Sequence, residues 1–123
     1  MRRKIIAFDL DDVLCRKKTD KVGVSKYLEC EPIPEMINIV NECYDKGMEI
    51  KIYTARGMET FSGDVSKVYA QIFEMTTQQL QRWGVKYTQL VMGKANYDLL
   101  IDDKSIDSRE IKSFNDIVRR LEI

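Results

Sequence analysis

The sequence predicts an α/β fold, a parallel sheet with helices on both faces, and three observations predict it. Short apolar runs of strand length, such as Lys4-Ile5-Ile6-Ala7-Phe8, are unbroken rather than alternating, which suits strands covered on both sides. Stretches with apolar residues at helical spacing lie between these runs. The two signals alternate along the chain, the order that builds a parallel sheet through crossover helices.

Residues 4–8 form the first expected strand. A helix is expected over residues 32–46, where Met36, Ile37, Val40, Cys43 and Tyr44 repeat at helical spacing; Pro34 falls in its first turn and Gly47 at its C-terminal cap. Residues 48–53 read as a second strand. Asp64 is placed to cap a long helix whose apolar stripe is Val65, Val68, Ile72, Met75, Leu80 and Trp83, and Gly84 closes it. Residues 87–92 and 98–101 are the third and fourth strands. Ser113 followed by Asp116 resembles a capping box for a last helix through Leu121. Residues 14–31 read as a long loop or small hairpin serving as a flap, and residues 57–63 as a shorter loop.

The chain has 123 residues, enough for one domain with little room for a second. Twenty basic and 20 acidic residues cancel, so no global field draws it to nucleic acid or anionic membrane. Arg16-Lys17-Lys18 is a local basic patch, read as a solvated loop or as an anion site beside the first acidic cluster. Cys15, Cys30 and Cys43 are odd in number, show no CxxC spacing and have no histidine to join them, so a zinc site is poorly supported and reduced thiols are expected. The apolar stretch behind the basic N-terminus is too short for a signal segment, and no run reaches the length of a membrane span. A cytoplasmic protein is expected. With no histidine in the chain, Ser-His-Asp and Cys-His catalysis are excluded, as is any histidine acid, base or phosphoryl carrier.

In parallel sheets the functional crevice lies at the carboxyl ends of the strands. The first strand runs into Asp9-Leu10-Asp11-Asp12, the second into Thr54-Ala55-Arg56 and the fourth into Asp102-Asp103, with Lys94 just ahead of that last strand. Crowded carboxylates repel one another unless a cation neutralises them. Oxygen donors without His or Cys favour a hard ion, and Mg²⁺ suits a few carboxylates plus a phosphate. A lysine and a threonine beside them are natural phosphate ligands, and an aspartate there can act as a nucleophile on phosphorus.

These four segments, in this order, resemble the motifs of the haloacid dehalogenase (HAD) superfamily of phosphatases. Asp9-Leu10-Asp11-Asp12-Val13 matches its first motif, the strand ending in Thr54 its second, Lys94 in Met92-Gly93-Lys94 its third and Asp102-Asp103 its fourth. Asp12 stands where glycine is frequent and Val13 where threonine is frequent. The match spans residues 4 to about 107. Tyr53-Thr54-Ala55-Arg56 with Gly93-Lys94 looks similar to small, capless members often described as capsule or surface-polysaccharide biosynthesis phosphatases.

The resemblance implies a three-layer, Rossmann-like fold without a cap domain, since neither loop is long enough to hold one. It implies that Asp9 is the nucleophile and a metal ligand, and that Asp11 is the general acid/base with its backbone carbonyl on the metal. Thr54 and Lys94 hold the phosphoryl group, with Ala55 and Arg56 beside them; Arg56 either grips substrate or pairs with a nearby carboxylate. One of Asp102 and Asp103 ligates Mg²⁺ while the other orients Lys94, with Asp103 favoured as the ligand. The implied partner is a small phosphorylated substrate, a sugar phosphate, and an open site of this kind invites cover from the flap or from a homo-oligomer. The rivals are a nucleotide or polynucleotide-end phosphatase and a catalytically idle binding module of the same fold.

Overall fold

In the computed structural model, which describes residues 2–18 and 23–122, the first apolar run becomes strand β1 (Ile5–Asp9). The segment read as a loop or small hairpin folds into two short antiparallel strands, β2 (Cys15–Arg16) and β3 (Glu31–Pro32), with a single helical turn α1 (Ser25–Leu28) between them. Part of that segment, residues 19–22, lies outside the described residues. Helix α2 (Pro34–Asp45) starts on Pro34, whose missing N–H costs nothing in a first turn. Strand β4 (Glu49–Tyr53) leads to helix α3 (Val65–Arg82), where Asp64 Oδ1 accepts the Lys67 N–H at 3.2 Å and satisfies one orphan donor of the first turn. Strand β5 (Gln89–Val91), a 3₁₀ turn (Ser108–Glu110) and helix α4 (Phe114–Leu121) complete the chain; the Ser113/Asp116 capping box is present.

The sheet is parallel in the order β1-β4-β5, with Phe8 beside Ile52 and Ile52 beside Leu90. That row is buried, together with Ile50, Val40, Val68, Ile72 and Leu80 from the strands and helices. Burying each such aliphatic side chain contributes about 1.5–3 kcal/mol.

Two expectations fail, and the second follows from the first. Residues 98–101 form no strand; Leu99, Leu100 and Ile101 are 77%, 48% and 89% exposed. An apolar run signals burial but not its partner, and this run pairs with no strand among the described residues. The third layer is also missing among the described residues. Both crossovers, β1 to β4 through α2 and β4 to β5 through α3, step the same way across the sheet, so right-handedness puts both helices on one face. A helix on the other face would need a strand beyond β1. That face therefore stays open, with Ile5 40% and Tyr53 39% exposed. No helix among the described residues is long and apolar enough to cross a membrane.

Candidate active site

The carboxyl ends of β1 and β4 meet the loop after β5. Asp9 ends β1, and its Oδ1 accepts the Leu10 N–H at 2.8 Å, which orients the carboxylate. The loop is pinned by the Lys94 N–H, which donates to the Thr54 carbonyl at 3.1 Å. Gly93 makes this close approach possible: its φ is +89°, and a Cβ there would meet Val65 at 3.3 Å. Lys94 Nζ then lies 3.2 Å from Asp9 Oδ2, between the rings of Tyr53 and Tyr97 at 5.7 and 5.4 Å. Burial alone would lower the Lys94 pKa, but the hydrogen bond to Tyr97 and the charge of Asp9 more than reverse this, and it is raised.

Thr54 is buried at the end of β4, where its hydroxyl oxygen accepts the Arg56 N–H at 3.1 Å and keeps its own proton to donate. Ala55 is half-buried in the same turn. The backbone N–H groups of Ala55 and Asp11 have no acceptor among the described residues, so both are available to an anion. Asp12 follows with φ +68°, a left-handed turn that glycine fits best and aspartate tolerates.

Asp11 does not stand free as an acid/base group. The Arg56 guanidinium donates from Nε to its Oδ2 at 3.1 Å and from Nη2 to its Oδ1 at 3.0 Å. Arg56 itself has a fully buried side chain. Its Nη1 donates to Gln79 Oε1 at 2.7 Å and to Thr76 Oγ1 at 3.2 Å, and its Cζ lies 4.8 Å from the centre of the Tyr27 ring. Tyr27 is fixed in turn, because its hydroxyl accepts the Gly57 N–H at 2.8 Å. Burial would lower the Arg56 pKa, yet its bonds to Asp11 raise it. Of the two roles open to Arg56, pairing with a carboxylate is the one seen. The guanidinium is covered by protein and presents no exposed face to substrate in this arrangement. Asp11 is held as the acceptor of this pair at both of its oxygens.

Cys15 and Cys30 close this cluster, their thiols 3.4 and 3.7 Å from Asp11 Oδ1. Burial first, then the charge of Asp11, pushes both thiols up in pKa. Burial also pushes Cys43 up, to about 11. The thiolate is the reactive form, so Cys43 in the native chain should react with a disulfide reagent at pH 8 about 100-fold more slowly than a free peptide thiol. Timed labelling with peptide mass spectrometry checks this.

Asp102 and Asp103 are not brought to the site. Both are exposed, and Asp102 Oδ1 accepts the Lys104 N–H at 3.3 Å rather than meeting anything at the end of β1. The strand expected to deliver them does not form.

The residues gathered on one chain do not fit Mg²⁺. The Asp9 carboxylate already has Lys94 as its counter-ion, the Asp11 carboxylate has Arg56, and among the described residues no third carboxylate joins them in a cluster. Asp11, Cys15 and Cys30 do crowd together, but two of these donors are protonated thiols, and Arg56 Nη2 sits 3.8 Å from Cys15 Sγ where a cation would bind. The Arg16-Lys17-Lys18 patch lines a groove together with Glu31 and Glu35, and Lys18 pairs with Glu31 at 3.2 Å.

Thr76 and Gln79 belong to this network although no motif singles them out. A signal does exist: Val68, Ile72, Thr76 and Leu80 recur every fourth residue, so Thr76 is a polar residue within an apolar stripe.

No family model matches the chain, and no curated protein matches it. Among solved structures, the crystal structure of an MCSG target from Vibrio cholerae is similar: it is 29% identical, with 97% of each chain covered and a TM-score of 0.80. The likeness shows a shared fold over nearly the whole length. The name of that protein gives no activity, ligand or cofactor.

Proposed function

We propose that the chain is a phosphomonoester hydrolase of the HAD type, with Asp9 as the nucleophile. The observation that carries this reading is Lys94 Nζ at 3.2 Å from Asp9 Oδ2, at the carboxyl end of a parallel strand and beside Thr54. A lone carboxylate and ammonium at a strand end form a modest ion pair. A phosphoryl group entering between them would engage both, as Asp9 attacks phosphorus and Lys94 offsets charge on the transferring oxygens.

In the first step an Asp9 oxygen bonds to phosphorus, the ester P–O bond breaks, and the leaving oxygen departs with the electron pair as an alkoxide that takes its proton from water. In the second, water attacks phosphorus, releasing inorganic phosphate and regenerating the carboxylate. Thr54 and the N–H groups of Asp11 and Ala55 serve as neutral donors to the phosphoryl oxygens. No step is routed through Mg²⁺, because one chain does not assemble its ligands. The sugar-phosphate substrate follows from the motif resemblance alone.

The Asp11–Arg56 pair has a consequence for substrate choice. A carboxylate bound at both oxygens accepts hydrogen bonds and has no proton to give, so an alkoxide leaves without help until that pair opens. General-acid help is worth about 10²–10⁴-fold. An aryl phosphate, whose leaving group needs no proton, should therefore turn over faster than a sugar phosphate by a factor of that order. Phosphate release from a panel of aryl, sugar and nucleotide phosphates tests this. The same pair also favours a second reading, the idle binding module: inorganic phosphate bound, with no ester in the panel hydrolysed, would support it.

A further inference from the structure

We infer that Tyr53 and Tyr97 form a subsite for the leaving group of the substrate, one that takes a ring carried directly on the ester oxygen. The place of the phosphoryl group rests on the phosphatase reading; the position of the rings does not. The two rings flank the ammonium assigned to the phosphate, with Lys94 Nζ 5.7 Å from the centre of the Tyr53 ring and 5.4 Å from that of Tyr97. Both side chains are open to solvent, and neither belongs to the hydrophobic core. Two other tyrosines show what a structural role looks like in this fold. The hydroxyls of Tyr27 and Tyr69 accept the backbone N–H groups of Gly57 and Met92 at 2.8 and 3.1 Å and so fix the chain.

The other side of the site is closed. Thr54 and Arg56 are buried, and Tyr27, Cys15 and Cys30 are buried around Asp11. Whatever the ester oxygen carries therefore extends over the exposed side, against Tyr53 and Tyr97. Reach then selects its shape. An ammonium holds a phosphate oxygen at about 2.8 Å, and the ester oxygen lies two bonds further on through phosphorus. A group bonded to that oxygen arrives in the same shell around Lys94 as the two tyrosine rings. A nucleobase, held off by a ribose, passes beyond them, and a short alkyl chain offers them little area. Aromatic rings gain most from a ring face or edge laid against them. A phenol and a hexose both supply an apolar ring face, and this is the chemistry the pair of tyrosines recognises.

Equilibrium binding reads the subsite without turnover. In calorimetry the Asp9→Asn chain should bind phenyl phosphate about tenfold more tightly than ethyl phosphate, which carries the same charge. Adding Tyr53→Ser/Tyr97→Ser should erase that difference and leave ethyl phosphate binding unchanged. Tyr53→Phe/Tyr97→Phe should preserve it, since the rings and not the hydroxyls make the contact. Glucose 1-phosphate distinguishes the two sources of a ring. Binding tighter than that of ethyl phosphate, lost in the serine variant, extends the subsite to sugars; a preference confined to phenyl phosphate assigns it to aromatic esters. Equal binding of all three esters overturns the subsite, as does adenosine 5′-phosphate binding more tightly than either ring ester. Equal losses for phenyl and ethyl phosphate in the serine variant would make the tyrosines supports for Lys94 and also overturn it. A wild type that hydrolyses no ester, with the ring preference intact in binding, would refute the phosphatase reading and leave the subsite standing.

Discussion

Replacing Arg56 with methionine should destabilise the fold by about 3–5 kcal/mol, the cost of removing one partner from a buried ion pair. The side chain is wholly buried, and its loss strands several groups at once: Asp11 loses both guanidinium bonds, and Gln79 and Thr76 lose the donor they share. Against a typical stability of about 5–15 kcal/mol this is a large fraction, and on the order of 10–20 °C in Tm. Methionine fills similar volume, so the effect reads the polar network rather than a cavity. The Asp11→Leu/Arg56→Met chain should recover much of the loss, because no unpaired charge then remains. Thermal unfolding of the wild type, both single variants and the double variant measures the coupling. Additive losses would mean that the two residues do not depend on each other.

Asp9→Asn should reduce phosphate release by about 10³-fold or more while leaving the fold intact, because a nucleophile has no substitute. The amide keeps the shape of the carboxylate and can still accept the Leu10 N–H. What is lost is an ion pair whose acidic side chain is 39% exposed, worth about 0–1 kcal/mol after solvent screening. The pH profile separates the two roles. The Lys94 pKa is raised in the fold, so the stability that Lys94 contributes is complete below its ordinary 10.5 and is lost only as pH rises through the raised value. Between pH 6 and 9 the pair is intact, and a fall in stability there would contradict the assigned ion pair.

Helices α2, α3 and α4 and strands β1, β4 and β5 were legible because their signals are local. Pro34, Asp64 and the Ser113/Asp116 box each act within one turn, and a strand of Ile and Phe announces itself in five residues. Residues 98–101 carry the same signal, yet burial is a relation between two surfaces, and the described residues do not supply the second. The missing third layer is the same omission seen from the other face of the sheet. At the site, Asp9, Thr54 and Lys94 were legible from their positions at or near strand ends. The fate of Asp11 was not, because Arg56 lies 45 residues away and either of its two roles was chemically reasonable. Only packing decides between them, through Tyr27, Thr76 and Gln79, residues that no motif marks.

The central claim is that Asp9 takes the phosphoryl group, and acid-quenched turnover tests it most directly. Wild-type protein mixed with an aryl phosphate and quenched in the steady state should yield a phosphorylated peptide carrying Asp9, absent from the Asp9→Asn chain. Turnover at an undiminished rate in Asp9→Asn, with no adduct on that peptide in the wild type, would contradict it.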